Sequence, residues 1–187
     1  MKRTLISLFM ILTAFTLNAC ATAANPWAMT VDHNNLPEFK DQNELKAAVG
    51  IDAVQGGDKT NPLWVSNISN EDFKVALNQS LKNFGYANEQ GDSRYKLDVT
   101  LLSVDQPLIG LDMTVKITAR YVLTERQSKQ AVFDQQIFAQ QTATFGDAAL
   151  GFDRLKIANE RAGKESILQF LKKLQELGIK AQAISMQ

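Results

Sequence analysis

Cysteine is almost missing from this chain. Cys20 stands alone among 187 residues, so no intrachain disulfide can form and stability must come from packing and hydrogen bonds. Histidine is as scarce. His33 is the only one, it sits in a polar Asp32-His33-Asn34-Asn35 cluster that reads as a solvated turn, and a histidine metal site would need further nitrogen or sulfur ligands. No metal and no dissociable cofactor is expected. Net charge is absent too, with 20 basic against 20 acidic residues, which argues against a nucleic-acid binder with its basic stripe and against a polybasic membrane-surface protein. No G-x-S-x-G elbow or Walker loop occurs. Gly56-Gly57-Asp58-Lys59-Thr60 lacks the spacing and the Gly-Lys-Ser/Thr order of a phosphate cradle and reads as a turn.

Beyond residue 17 there is no apolar run long enough to span a bilayer, which takes about 20 residues. The run from Leu5 to Leu17 is itself too short and is interrupted by Ser7, Thr13 and Thr16. Lys2 and Arg3 precede it, and Leu17-Asn18-Ala19-Cys20 follows. A charged start, an apolar middle and small residues at a cut site are the layout of a secretory signal. With the lone cysteine at its end, the segment resembles a bacterial lipoprotein signal. The resemblance implies cleavage between Ala19 and Cys20 and a covalent lipid on Cys20, a diacylglyceryl thioether with an acylated amine, palmitate among the chains. Ala21, where an aspartate would imply retention in the inner membrane, implies sorting to the outer membrane with the body facing the periplasm. Cleavage would leave 168 residues, enough for one domain with a real core. Loss of Lys2 and Arg3 would leave 18 basic against 20 acidic side chains, a formal charge of −2.

The expected organisation is a signal at 1–19, a lipidated N-terminus and tether at 20–45, a periplasmic domain at 46–178 and a frayed tail at 179–187. Pro26 and Pro37 break regular structure in the tether. Ala47 to Val54 reads as a first strand, ended by Gly56-Gly57-Asp58. Ser69, with Asp72 in capping-box position, opens a helix. Phe73, Ala76, Leu77, Leu81 and Phe84 form its apolar stripe, and Gly85 is its natural stop. Three long strands follow at about 94–104, 111–123 and 132–145, each alternating apolar and polar residues, with hairpin links at 105–110 and 125–130. Asp98 with Lys116, and Asp134 with Arg120, could pair across strands. A closing helix runs from Gly151 or Phe152 to Leu177, with Leu155, Ala158, Ala162, Ile167, Phe170, Leu171 and Leu174 facing inward. Gly163 weakens its centre by about 1 kcal/mol relative to alanine unless it serves a close approach to the sheet. The order β-α-β-β-β-α predicts an α+β fold: an antiparallel sheet with two helices packed on one face.

Two sets of residues are candidates for function. Asp105 and Asp112 flank the Pro107–Gly110 turn, and Asp147 and Asp153 flank the entrance to the last helix. Carboxylate pairs can do acid–base work when close, although turn and helix capping explains them as simply. The second set is apolar and lies in loops: Leu108, Ile109, Leu111, Phe145, Leu150 and Phe152. These either close the end of the core or form a patch for a lipid or partner protein. Trp64 carries the same two readings, with core packing preferred.

The runs Thr60-Asn61-Pro62-Leu63-Trp64, Asn70-Glu71-Asp72-Phe73, Leu101 through Asp112, and Ala143-Thr144-Phe145-Gly146-Asp147 resemble a group of uncharacterised proteobacterial outer-membrane lipoproteins, over roughly residues 47–175. Members sometimes carry the label UDP-N-acetylglucosamine acyltransferase. Such acyltransferases resemble left-handed β-helices of hexapeptide repeats with a catalytic histidine, and this sequence has neither. In layout the chain also looks like the lipopolysaccharide-assembly lipoprotein and the auxiliary lipoproteins of ABC transporters. The expectation is a non-enzymatic lipoprotein, anchored in the outer membrane, that supports envelope assembly or transport by binding a protein or lipid. The alternatives are an envelope enzyme using the carboxylates and a purely structural lipoprotein.

Overall fold

Each of the long alternating segments becomes a strand, and both helical stripes become helices. The computed structural model describes residues 22–35, 44–61 and 66–185. The elements in order are α1 (Pro26–Met29), a 3₁₀ turn (His33–Asn35), β1 (Val49–Gln55), α2 (Asn70–Asn83), β2 (Tyr95–Asp105), β3 (Met113–Glu125), β4 (Ala131–Ala143) and α3 (Gly151–Ser185). The strands form one sheet in the order β1-β2-β3-β4. The result is an open α+β sandwich with its helices on one face, as expected.

The pairing departs from a fully antiparallel sheet at one edge. β2–β3 and β3–β4 are antiparallel hairpins, but β1 runs parallel to β2. The cause is α2, which lies between β1 and β2 in sequence and carries the chain back to the starting end, as a parallel crossover must.

Period-two burial fixes the buried face. Tyr95, Leu97, Val99 and Leu101 on β2, Met113 through Leu123 at alternate positions on β3, and Phe133, Ile137, Ala139 and Ala143 on β4 are all buried. The inward residues of α2 and α3 named from the sequence are buried against them. At the start of α2 the Asp72 amide donates to Ser69 Oγ at 3.0 Å, and the Ser69 hydroxyl donates to Asp72 Oδ2 at 2.7 Å. Gly85 takes φ +68° just past the helix, the left-handed stop that glycine adopts without a Cβ penalty. At the heart of the core the Tyr121 ring stacks on Phe170 with centroids 4.4 Å apart, and its hydroxyl lies 2.8 Å from Ser166 Oγ. Full burial raises the tyrosine pKa well above its ordinary value, against the smaller lowering by Ser166.

Three local expectations are corrected. Residues 22–34, read as tether, are packed: Ala24, Met29 and Val31 are buried. Asn25 caps α1 by accepting the Trp27 amide at 3.0 Å, with Pro26 at the first helical position. The Val31 amide donates to Ser80 Oγ at 2.9 Å. Gly163 serves a close approach, but to α1 and not to the sheet. A Cβ there would stand 2.6 Å from Met29 Sδ and 3.1 Å from its Cγ. Replacing Gly163 with leucine is therefore expected to cost about 1–3 kcal/mol by overpacking, read as a lower urea midpoint with an unchanged slope. Finally, α3 does not stop before Gly178 but continues to Ser185. Gly178 is not among the positive-φ glycines, and the alanine, lysine and glutamine that follow it favour helix.

The face of the sheet away from the helices carries polar residues. Arg120 grips Asp134 with two bonds, Nε to Oδ1 at 2.7 Å and Nη2 to Oδ2 at 2.6 Å. The other anticipated pair is not made. Asp98 lies opposite Val122, Lys116 lies opposite Asp105, and Asp98 instead meets Lys96 at 3.0 Å.

Candidate functional site

One end of the sheet collects most of the candidate residues. There β2 ends at Asp105, β3 begins at Met113, β4 ends at Ala143 and α3 starts at Gly151. The link 106–112 and the loop 144–150 therefore emerge side by side. They are joined by a residue that sequence reasoning missed. Arg154, on the first turn of α3, is only 5% exposed. Its Nη1 donates to the carbonyls of Ala148 and Ala149, both at 2.8 Å, and its Nη2 donates to the Gly110 carbonyl at 3.3 Å. The guanidinium also lies 5.4 Å from the centre of the Phe145 ring, within cation–π range. A cation on a helix reads as surface charge from sequence. Its burial depends on two loops, one of them more than 40 residues away in the chain.

On this brace sit exposed apolar side chains. Leu108, Ile109 and Leu111 are 85%, 92% and 77% exposed, and Phe145 and Leu150 are 61% and 52% exposed. Phe152 is half-buried. Five of the six named residues thus face outward and do not close the core. Phe145, the last residue of the strand expected at 132–145, lies past the observed end at Ala143 and is exposed. Five large apolar side chains on two adjacent loops amount to a patch that calls for an explanation, where a scattered few would not.

The carboxylates separate into three situations. Asp105 and Asp112 line one open depression with Thr114, Lys116 and Gln140. Asp147 is fully engaged as a loop cap. It accepts from Arg161 Nη2 at 2.6 Å and Nη1 at 3.1 Å, from the Thr144 amide at 2.7 Å and from the Thr144 hydroxyl at 3.2 Å. The Arg161 guanidinium, then the Thr144 amide, hold its carboxyl well below the usual carboxylate range. A depressed folded-state pKa contributes stability that is present above the ordinary value and lost as pH falls through the folded one. Asp147→Asn is therefore expected to lower Tm at neutral pH. The gap from the parent protein should narrow only below the ordinary carboxylate value of 3.8, as scanning calorimetry across acid pH would record. Asp153 lies in the first turn of α3, where a negative charge suits the helix dipole.

His33 is exposed, with its ring 4.9 Å from that of Phe84. Among the described residues no group of three His, Cys, Asp or Glu side chains could hold a metal, and no helix is long and apolar enough to cross a membrane. Ala19, Cys20 and Trp64 lie outside the described residues.

No protein-family model matches the chain, and no curated protein matches it. Solved structures do. A DUF330 protein from Xanthomonas campestris superposes with a TM-score of 0.58 at 8% identity, covering 78% of this chain and 93% of that one. A proposed lipoprotein from Caulobacter crescentus gives 0.42 at 15% identity, over 55% and 80% of the two chains. A hypothetical protein from Chlamydia trachomatis gives 0.44 at 10% identity, over 73% and 95%. At 8% identity the likeness to the Xanthomonas protein is one of fold.

Proposed function

We propose that this chain is a lipid-anchored lipoprotein of the bacterial outer membrane, facing the periplasm, that supports envelope assembly or transport by binding a partner protein or a lipid without catalysing a reaction. The signal-like start ending in Cys20 supports the anchor. The observation that carries the binding role is the exposed apolar patch on loops 106–112 and 144–150. Its hold by Arg154 makes it a pre-formed surface, and a pre-formed surface loses little freedom on binding. Photo-crosslinking in living cells from positions 106–111 and 145–152 is the test. A discrete protein or lipid adduct from these positions, and none from the 125–130 turn, is the expected result. Uniform failure to crosslink at every growth stage would count against the binding role.

A second reading, an envelope enzyme, draws on Asp105 and Asp112 lining one depression with Lys116. It requires that Asp105→Ala or Asp112→Ala abolish function while leaving the melting temperature intact. Full complementation by both variants would remove it.

A further inference from the structure

We infer that the apolar loop end is the membrane-facing end of the body, and that Leu108, Ile109, Leu111, Phe145 and Leu150 dip into the same leaflet that holds the acylated Cys20. The inference rests on the lipid-anchor reading above and adds an orientation to it.

The chain of contacts runs from the anchor to the patch. The first described residues do not trail away from the body. The Ala24 amide donates to the Asn67 carbonyl at 3.2 Å, and the Asn25 amide donates to Glu160 Oε1 at 2.8 Å. The Asn67 side chain in turn accepts from Gln106 Nε2 at 3.1 Å, and Gln106 opens the loop that bears Leu108, Ile109 and Leu111. Residue 24 is thus fastened one side chain away from the apolar loop. Four Cα–Cα steps separate Cys20 from Ala24, a reach of at most about 14 Å when fully extended. A leash that short cannot carry the body far from the leaflet or let the opposite end of the sheet face it. The end that meets the lipid first is the end with five outward apolar side chains.

The nature of the patch matches that occupant. The charged groups around it are of both signs: Asp105, Asp112 and Lys116 on one side, the Asp147–Arg161 pair on the other, and Arg154 buried beneath. Among the described residues at this end no cluster of lysines is present to seek anionic headgroups, so the contact is apolar and shallow, at the headgroup–acyl boundary. Contact depth should therefore be the same on zwitterionic vesicles and on vesicles rich in anionic lipid. At the far end, the 125–130 turn is made of Glu125, Arg126, Gln127, Ser128, Lys129 and Gln130, a segment suited to water.

The experiment is spin-label depth measurement on the acylated mature protein, residues 20–187, in phosphatidylethanolamine–phosphatidylglycerol vesicles. Acylation ties up the Cys20 thiol, so Ile109→Cys, Phe145→Cys and Ser128→Cys each supply one reactive site, all at exposed positions. Labels at 109 and 145 are expected to collide more with oxygen than with a water-soluble nickel complex, and the label at 128 the reverse. Equal aqueous exposure of all three labels on vesicle-bound, mass-verified acylated protein would overturn the orientation and leave the anchor standing. A mass spectrum without acyl chains would overturn both. Labels at 109 and 145 that become shielded only when a second protein is added would assign the patch to that protein and overturn the leaflet contact.

Discussion

Replacing Cys20 with alanine is expected to move the protein from the membrane to the soluble fraction, with no fatty-acid label incorporated. The physical reason is additive burial. Each methylene placed in the bilayer contributes about 0.8 kcal/mol, and one acyl chain alone gives a binding constant on the order of 10⁴ M⁻¹. Several chains on one residue make anchoring effectively permanent, and the loop patch cannot replace them. Five loop-tip side chains at the interface are expected to leave at most weak, reversible vesicle association in the Cys20→Ala protein. Its melting temperature should equal that of the acylated body, because residue 20 precedes Ala24, the first buried residue among those described. Persistent radiolabelled palmitate on the variant would reject the assignment of the anchor to Cys20.

The largest loss of stability is expected from Tyr121→Ala. Tyr121 is fully buried, stacks on Phe170 and shares a hydrogen bond with Ser166, and Phe170 makes an edge contact with Phe133 at 5.7 Å. Truncation removes the ring, leaves a cavity between β3 and α3, and strands the Ser166 hydroxyl. Aromatic-to-alanine changes in cores cost about 3–5 kcal/mol, a large share of the roughly 5–15 kcal/mol that holds a domain folded. Tyr121→Phe keeps the stack and removes only the hydroxyl, for about 1–3 kcal/mol. Urea unfolding of the two variants would separate the terms. Equal losses would mean that the hydrogen bond, and not the ring, carries the site.

Tyr121 also marks where the sequence was readable. Tyr121 belongs to a strand whose strict alternation predicted its direction of facing, and the Ser69–Asp72 cap and Gly85 stop announced α2 in advance. Local chemistry dictates such features, so a local reading finds them. The direction of β1 is not local. Its seven residues carry no mark of parallel pairing, which follows from the path α2 takes. Gly178 misled for the converse reason: glycine permits a left-handed stop but does not force one. The packing of residues 22–34 had a signal that was passed over, the Asn25-Pro26 pair that suits an N-cap and first helical position. The apolar patch was nameable from its residue types, but its outward direction was not. Arg154 carried no signal at all, because a buried guanidinium whose two terminal nitrogens donate to three carbonyls on two loops exists only once the loops have closed around it.

The seat of α1 has a consequence for how the molecule comes into being. Met29 rests in the hollow that Gly163 leaves, and Asn25 is tied to Glu160, 135 positions further along. The α1 segment thus waits for a segment some 135 positions further along, and closing so wide a loop costs entropy before any contact offsets it. A polypeptide cut short ahead of residue 151 would leave Met29 without the α3 surface at Gly163 that receives it. Docking of α3 is thereby the step that covers it.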